Sequence, residues 1–326
     1  MNSDFDLTVT VSSYNRDDKV VQTLQELFKS DLDGFRNIEL IVVDDGSPRP
    51  VADVIERLGE IPEKFDLRVV RQENSGIGAT RNRGFREARS NLVLFLDDDI
   101  LVKRETLREV VEAHKSHSGG AIFGSYPFIS HETESLERFA RLLYGYDDIT
   151  AEEKYVRVEA LTSGLLAVDK TKFGDESFYR DDMTIPAAEE YEVISRFHRL
   201  GIPIFRAQHI SAIHNHHLEL DWLVGQQYKY GMGTAEAFSK CPEIEKLEKF
   251  TELRSKLESI GKRNVRNRLK SVLSSKIGRT VSLHLAGAIQ SISPKGNHNF
   301  LFGLLTSAYY WAGYREGIKR FANQND

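Results

Sequence analysis

Three consecutive carboxylates, Asp97-Asp98-Asp99, stand directly after the apolar run Leu92 to Leu96 (LVLFL). Adjacent carboxylates repel one another, so folding them together needs a cation or hydrogen-bond donors. A hard divalent ion with oxygen ligands, Mg²⁺ or Mn²⁺, is a natural partner. Such an ion keeps waters and takes up phosphate oxygens. A solvated acidic turn is the plainer alternative. A second acidic turn, Asp44-Asp45-Gly46-Ser47, follows the run Ile38 to Val43 (IELIVV). Its carboxylates suit a nucleobase N–H or a ribose hydroxyl, or else the cap of the next helix. The segment Asn74 to Gly84 offers Gly76 and Gly78 for close backbone approach, and Arg81 and Arg83 for phosphate or base. It is not a dinucleotide fingerprint, because the third glycine of G-x-G-x-x-G would fall at Arg81.

The elements around these turns alternate. Leu7 to Ser12 reads as a strand and ends in Ser12-Ser13-Tyr14-Asn15. Asp17 to Lys29 has helical spacing through Val20, Val21, Leu24, Leu27 and Phe28. Ile38 to Val43, Leu67 to Arg71 and Leu92 to Leu96 read as further strands, with helices over Pro50 to Leu58 and Gly78 to Ala88. Solid apolar strands separated by helices predict a parallel sheet covered on both faces. The polar turns all sit just beyond the carboxyl ends of those strands, the edge where open α/β sheets bind ligands.

Farther on, Ala121 to Phe128 and Leu161 to Val168 read as strands around a helical stretch, Thr133 to Tyr144. Glu189 to Leu200 is amphipathic and stops at Gly201 and Pro203. Ile204 to Ile213 is a last strand leading to His214-Asn215-His216-His217, and after Leu218 the pattern is helical only. Residues 253–280 hold nine Lys/Arg against one acid. That stretch is either a solvated helical face or a contact for anionic lipid.

The chain has 326 residues and a net charge of −5. Mild acidity argues against a nucleic-acid binder. The single Cys241 excludes an intrachain disulfide and any Cys-rich zinc site, and it fits a reduced compartment. The N-terminal residues lack the pattern of a secretory signal, and no apolar run reaches transmembrane length. A cytoplasmic protein is expected, with peripheral membrane contact through 253–280 as an option.

Four segments together resemble the family 2 glycosyltransferases, which have the GT-A fold. They are Val11 to Arg16, Val42 to Ser47, Asn74 to Gly84 (with Ala79, Arg81, Asn82 and Gly84) and Leu94 to Asp99. The resemblance implies an α/β, Rossmann-like GT-A domain over 1–217, with a nucleotide-sugar half (1–99) and an acceptor half (100–217). A helical region would follow over 218–326. It implies binding of a nucleotide-diphosphate sugar, a UDP-sugar foremost, by Ser12, Ser13, Tyr14, Asn15, Asp44, Asp45, Gly76, Arg81, Asp97 and Asp98. Asp97 to Asp99 would be the D-x-D motif, with Asp99 the metal ligand and Asp97 nearer the ribose and sugar, also within reach of the ion. A histidine after the last strand adds a ligand in many relatives, and His214 fits that position first, His216 second.

Phe173 to Phe178 and Ala188 to Val193 extend the resemblance. The second implies a catalytic base at Glu190, with Glu189 as the neighbouring choice; Ala188 stands where the family has glycine. Ser163, Gly164 and Trp222 would lie on the acceptor side. The implied reaction is inverting transfer to a hydroxyl of a glycan, lipid-linked or small-molecule acceptor. A retaining transferase, a sugar-nucleotide pyrophosphorylase and a non-catalytic nucleotide-sugar binder are the rival readings. The pyrophosphorylase would want a basic Gly-rich loop where Ser12 to Asn15 stands.

Overall fold

The computed structural model describes residues 4–117, 119–129, 134–146, 153–174, 176–259 and 272–322. The first seven elements alternate as the periodicity predicts: β1 (Leu7–Ser13), α1 (Asp17–Leu27), β2 (Ile38–Asp44), α2 (Val51–Ile55), β3 (Phe65–Arg71), α3 (Ile77–Glu87) and β4 (Leu92–Asp97). The expected helix over 50–58 is split into α2 and a 3₁₀ turn, Glu56–Leu58. β1 and β2 are buried at every position, which explains their continuous apolar sequences. α1 turns Val20, Leu24 and Leu27 inward and exposes its polar side.

The middle of the chain adds β5 (Ile100–Val102), α4 (Thr106–Ser116), β6 (Ala121–Ser125), β7 (Phe128–Ile129), α5 (Glu134–Leu143), β8 (Val156–Arg157), β9 (Leu165–Asp169), α6 (Glu190–Leu200) and β10 (Ile204–His217). Four helices follow among the described residues: α7 (Leu220–Lys240), α8 (Glu248–Ser259), α9 (Lys276–Ile292) and α10 (Asn299–Ala322). Residues 260–271 of the basic stretch lie outside the described residues, as does Asp175. Among the described residues, no helix is long and apolar enough to cross a membrane.

The sheet runs β3-β2-β1-β4-β9-β6-β10-β5. β3, β2, β1 and β4 are parallel, as expected. The sheet as a whole is not purely parallel: β9 is antiparallel to both β4 and β6, and β5 is antiparallel to β10. Buried apolar strands read alike in either direction, so sequence did not give the sense of β9. β10 also runs through the four residues 214–217 instead of ending before them. Its partner β5 is only three residues long and went unread.

The fold divides into two compact units: 1–127, 149–182 and 196–216 in one, and 128–148, 183–195 and 217–326 in the other. The first holds the main core, with Val9, Val11, Leu24, Leu40, Leu94 and Leu96 packed together. On its other side Phe95 meets Phe178 at 4.6 Å between ring centroids, and Phe173 and Phe197 complete the cluster.

In the second unit α7 and α10 touch backbone to backbone. A Cβ built on Gly231 would stand 1.9 Å from the Tyr310 carbonyl oxygen, and one on Gly313 would stand 1.9 Å from the Tyr228 carbonyl oxygen. Only glycine allows that approach. Gly313→Val must therefore force the helices apart, and overpacking of this kind costs typically about 1–3 kcal/mol. Its melting temperature should fall by several degrees in a thermal scan; an unchanged value would mean that the two backbones are not in contact.

Candidate functional site

Parallel pairing sets the site. β2, β1 and β4 are neighbours running the same way, so their carboxyl ends share one edge of the first unit. Ser13 stands opposite Asp44, and Ser12 opposite Asp97. Three turns far apart in sequence are thereby brought to a common rim.

The aspartate triplet is held there by donors from three directions. Ser13 Oγ donates to Asp98 at 2.8 Å. Arg16 Nη1 donates to Asp98 at 2.9 Å and to Asp99 at 2.7 Å. Arg81 donates to Asp97 at 2.8 Å. The side chains of Asp98 and Asp99 are each 5% exposed, whereas that of Asp97 is 33% exposed. Asp97 is thus the carboxylate most open to a ligand. Arg16 was not among the expected site residues, although its place directly after the β1 turn, facing three acids, was the available signal.

Burial pushes the Asp98 carboxyl up to about 7, against the pull of Arg16. Burial acts on Asp99 in the same sense, but the His214 hydrogen bond, the charges of His214 and Arg16, and His216 outweigh it and hold Asp99 at about 2. For Arg16, burial opposes the charge while Asp98 and Asp99 outweigh it, so its pKa is raised.

β10 supplies the histidines. His214 is opposite Ile100 of β5, the residue next to Asp99, and its Nε2 lies 3.4 Å from Asp99 Oδ1. Alternation along a strand puts His216 on the same face, with the two rings 5.8 Å apart. Burial, with the neighbouring His214, lowers His216 to about 4. Lys19 and Gln22 of α1 bond Asn215, which ties this end of β10 down.

A metal ion would find an oxygen donor in Asp99 and a nitrogen donor in His214. That mixed set suits Mn²⁺ and tolerates Mg²⁺. Among the described residues no three His, Cys, Asp or Glu side chains are grouped to hold an ion. The remaining ligands would come from diphosphate oxygens and water, and Asp99 would be shared with Arg16.

The second acidic turn closes on itself. Asp44 is fully buried, accepts from the backbone N–H of Ser47 (2.8 Å) and Val51 (3.1 Å), and pairs with Arg71. Burial disfavours its charge, but the Ser47, Val51 and Arg71 donors outweigh that and lower its pKa. Asp45 reaches across: it accepts from Ser75 N–H and Gly76 N–H, both at 2.9 Å, and from Gln72 at 2.8 Å. One carboxylate thus joins the turn after β2 to the loop before α3. Asn15, at φ 52°, donates its N–H to Ser47 Oγ at 2.9 Å. Tyr14 is 48% exposed beside it in sequence.

α3 anchors the opposite side of the same unit. The Asn82 amide donates to the Tyr179 carbonyl at 2.8 Å and accepts from the Tyr179 N–H at 2.7 Å. Tyr179 in turn donates its hydroxyl to Ser163 Oγ, and the Arg81 guanidinium lies 5.5 Å from its ring centroid. Asn82 and Tyr179 were missing from the expected site. Residues 162–164 lead into β9 and do not end a strand. Gly164 accepts the Asp97 N–H at 3.1 Å, and a Cβ there would come 2.9 Å from Asp97 Oδ2 and from the Tyr126 hydroxyl, so a larger residue would have to displace those side chains.

Glu189, Glu190 and Trp222 belong to the second unit. α6 begins at Glu190, and Glu189 just before it is buried. Ala188 adopts φ 64°, the left-handed region that favours glycine. That conformation accounts physically for the glycine expected at this position. A Cβ on Gly233 of α7 would stand 1.8 Å from the Ala187 carbonyl oxygen, so α7 presses directly on the entry to α6. Trp222 packs edge-on against Phe128, with centroids 5.3 Å apart.

Arg16→Ala should leave Asp98 and Asp99 without their main counter-charge. Its melting temperature without metal should drop, and millimolar Mn²⁺ should restore several degrees more than it adds to the parent protein. Equal shifts would show that an ion does not take the guanidinium's place.

Comparison with known proteins agrees with this architecture. Residues 8–167 match the profile of glycosyl transferase family 2. EpsH of Bacillus subtilis (strain 168), named as a glycosyltransferase, is 34% identical over 93 residues, which cover 28% of this chain and 26% of EpsH. TuaG of the same organism, named as a teichuronic acid biosynthesis glycosyltransferase, is 27% identical over 133 residues, covering 41% of this chain and 51% of TuaG. The chain thus spans about half or less of the length of these curated relatives. Among solved structures, the mannosyltransferase PcManGT of Pyrobaculum calidifontis, in complex with GDP-Man and Mn²⁺, superposes with a TM-score of 0.60 at 15% identity, over 96% of this chain and 88% of that one. Staphylococcus aureus TarS 1–349 in complex with UDP gives 0.53 at 15% identity, over 98% and 92%. The mixed sheet with flanking helices is that of the GT-A glycosyltransferases, and residues 8–167, just under half of the chain, match glycosyl transferase family 2.

Proposed function

We propose that the protein is a metal-dependent, inverting glycosyltransferase that moves a sugar from a nucleotide diphosphate, a UDP-sugar foremost, to a hydroxyl. The observation that carries this reading is the convergence of Ser13, Arg16, Arg81 and His214 on Asp97 to Asp99 at one rim of the sheet. The structures with GDP-Man and Mn²⁺ and with UDP support a nucleotide-bound use of this fold.

In this reading Asp45 and Asn15 shape the pocket for the base and ribose, and Asp44 fixes the turn that carries Asp45. Ser12, Ser13, Tyr14 and Gly76 line the nucleotide side. Arg81 holds Asp97 and faces the donor; Asp97 and Asp98 complete the carboxylate rim. Asp99 and His214 would hold the divalent ion, with His216 on the same face of β10 as a further candidate. When bound, that ion neutralises the charge that develops on the leaving diphosphate.

Glu190, with Glu189 as its neighbour, accepts the acceptor's hydroxyl proton. The acceptor oxygen forms a bond to the anomeric carbon as the bond from that carbon to the diphosphate oxygen breaks. The electron pair leaves with the nucleotide, and the configuration inverts. Ser163 and Gly164, beside Asp97, border the sugar. The acceptor is a glycan or a lipid-linked hydroxyl at the cytoplasmic face of a membrane, a setting that the basic stretch over 253–280 suits.

Asp99→Ala should abolish Mn²⁺-dependent UDP binding in calorimetry; retained binding would remove Asp99 as a ligand. Glu190→Gln should keep UDP affinity and lower transfer by about 10²–10⁴-fold, the usual contribution of a positioned base. Full activity in that variant would move the base elsewhere.

A further inference from the structure

We infer that the outward face of α9 is a docking surface for an anionic lipid membrane. The helix packs Leu283 and Ala286 inward and in addition carries an apolar stripe outward, where an ordinary surface helix is polar. Ile277, Val281, Leu285 and Ile292 are 79%, 62%, 56% and 85% exposed. With exposed Ala288 they follow spacings of four, four, three and four residues, which places them in one stripe. The face turned into the protein carries Ser282, Ala286 and Gln290, all buried. Phe300, at the start of α10, adds an aromatic ring that is 72% exposed. Apolar area of this kind, left in water along one helix, marks an interaction surface.

Charge identifies the occupant. Residues 259–300 contain eight Lys/Arg and no Asp or Glu, in a chain whose net charge is −5. Five of these cations fall within 260–271, outside the described residues, and they enter here only through their sequence position. Lys276 opens the helix and is exposed, and Lys295, which follows its end, is exposed and pairs with Glu134 at 3.1 Å. An apolar helical stripe flanked by cations matches the boundary between headgroups and acyl chains in an anionic bilayer. A second copy of this chain is disfavoured, because pairing two such faces would bring together two segments of the same sign. At 17 residues α9 lies along the surface and does not span it.

The inference stands apart from the transferase reading, since docking needs neither donor nor acceptor. The test is vesicle flotation of the whole chain with phosphatidylglycerol/phosphatidylcholine vesicles and with phosphatidylcholine alone. The expected result is flotation with the anionic vesicles only, weakened at high salt. Val281→Asp/Leu285→Asp should reduce bound protein at least tenfold without changing the melting temperature. Ile277→Ser/Ile292→Ser, a milder pair, should reduce it severalfold and guards against misfolding of the first variant. Absence of flotation, flotation unaffected by either pair, or equal binding to neutral vesicles would overturn the proposal. A dimer in sedimentation that the double Asp variant dissolves would overturn it as well, in favour of a second copy.

Discussion

Repulsion among Asp97, Asp98 and Asp99 is the constraint that the first unit is built to answer. Three carboxylates at the end of a buried strand would destabilise any fold that left them uncompensated. Here each receives a different partner. Arg81 comes from a helix, Arg16 from the turn after β1, and His214 from a strand reached only late in the chain. The compensation is therefore a long-range event. It can form only when β1, β4, α3 and β10 are all in register, so the electrostatics of the rim report on the whole unit.

Compensation is also uneven. Burial and Arg16 pull Asp98 in opposite directions and leave its carboxyl near neutrality, while the histidine side keeps Asp99 ionised. Two acids adjacent in sequence thus acquire different characters from their surroundings alone. The open carboxylate, Asp97, is the one with a glycine at its back. Small residues and fixed dipoles around a charged rim are what a site needs when a bulky anion must come close without displacing backbone.

Much of this was legible in the sequence because the relevant elements obey simple rules. β1, β2 and β4 are continuous apolar runs that stop at polar turns, and parallel pairing does the rest. What was not legible follows from limits of the same rules. Strand direction leaves no trace in a fully buried run, so the antiparallel β9 read like its parallel neighbours. The three-residue β5 is too short for any period. Residues 214–217 look like a loop by composition, yet β10 runs on through them, and of the four only His214 is in register with β5. Arg16 was visible as a residue but not as a partner, since its targets lie more than eighty positions away. For α9, the sequence reading went no further than a helical pattern and missed the apolar side and the way it points.

The crossing of α7 and α10 limits how the second unit can move. Gly231 and Gly313 each sit against the opposite main chain, so the helices interlock like notched beams. Sliding α10 by one turn in one sense would bring Tyr309 or Tyr310 into the place of Gly313, a notch sized for a hydrogen atom, whereas in the other sense Gly317 would take it. A ratchet in the first sense is thereby closed off. Motion in that sense must carry both helices together, as a single lever.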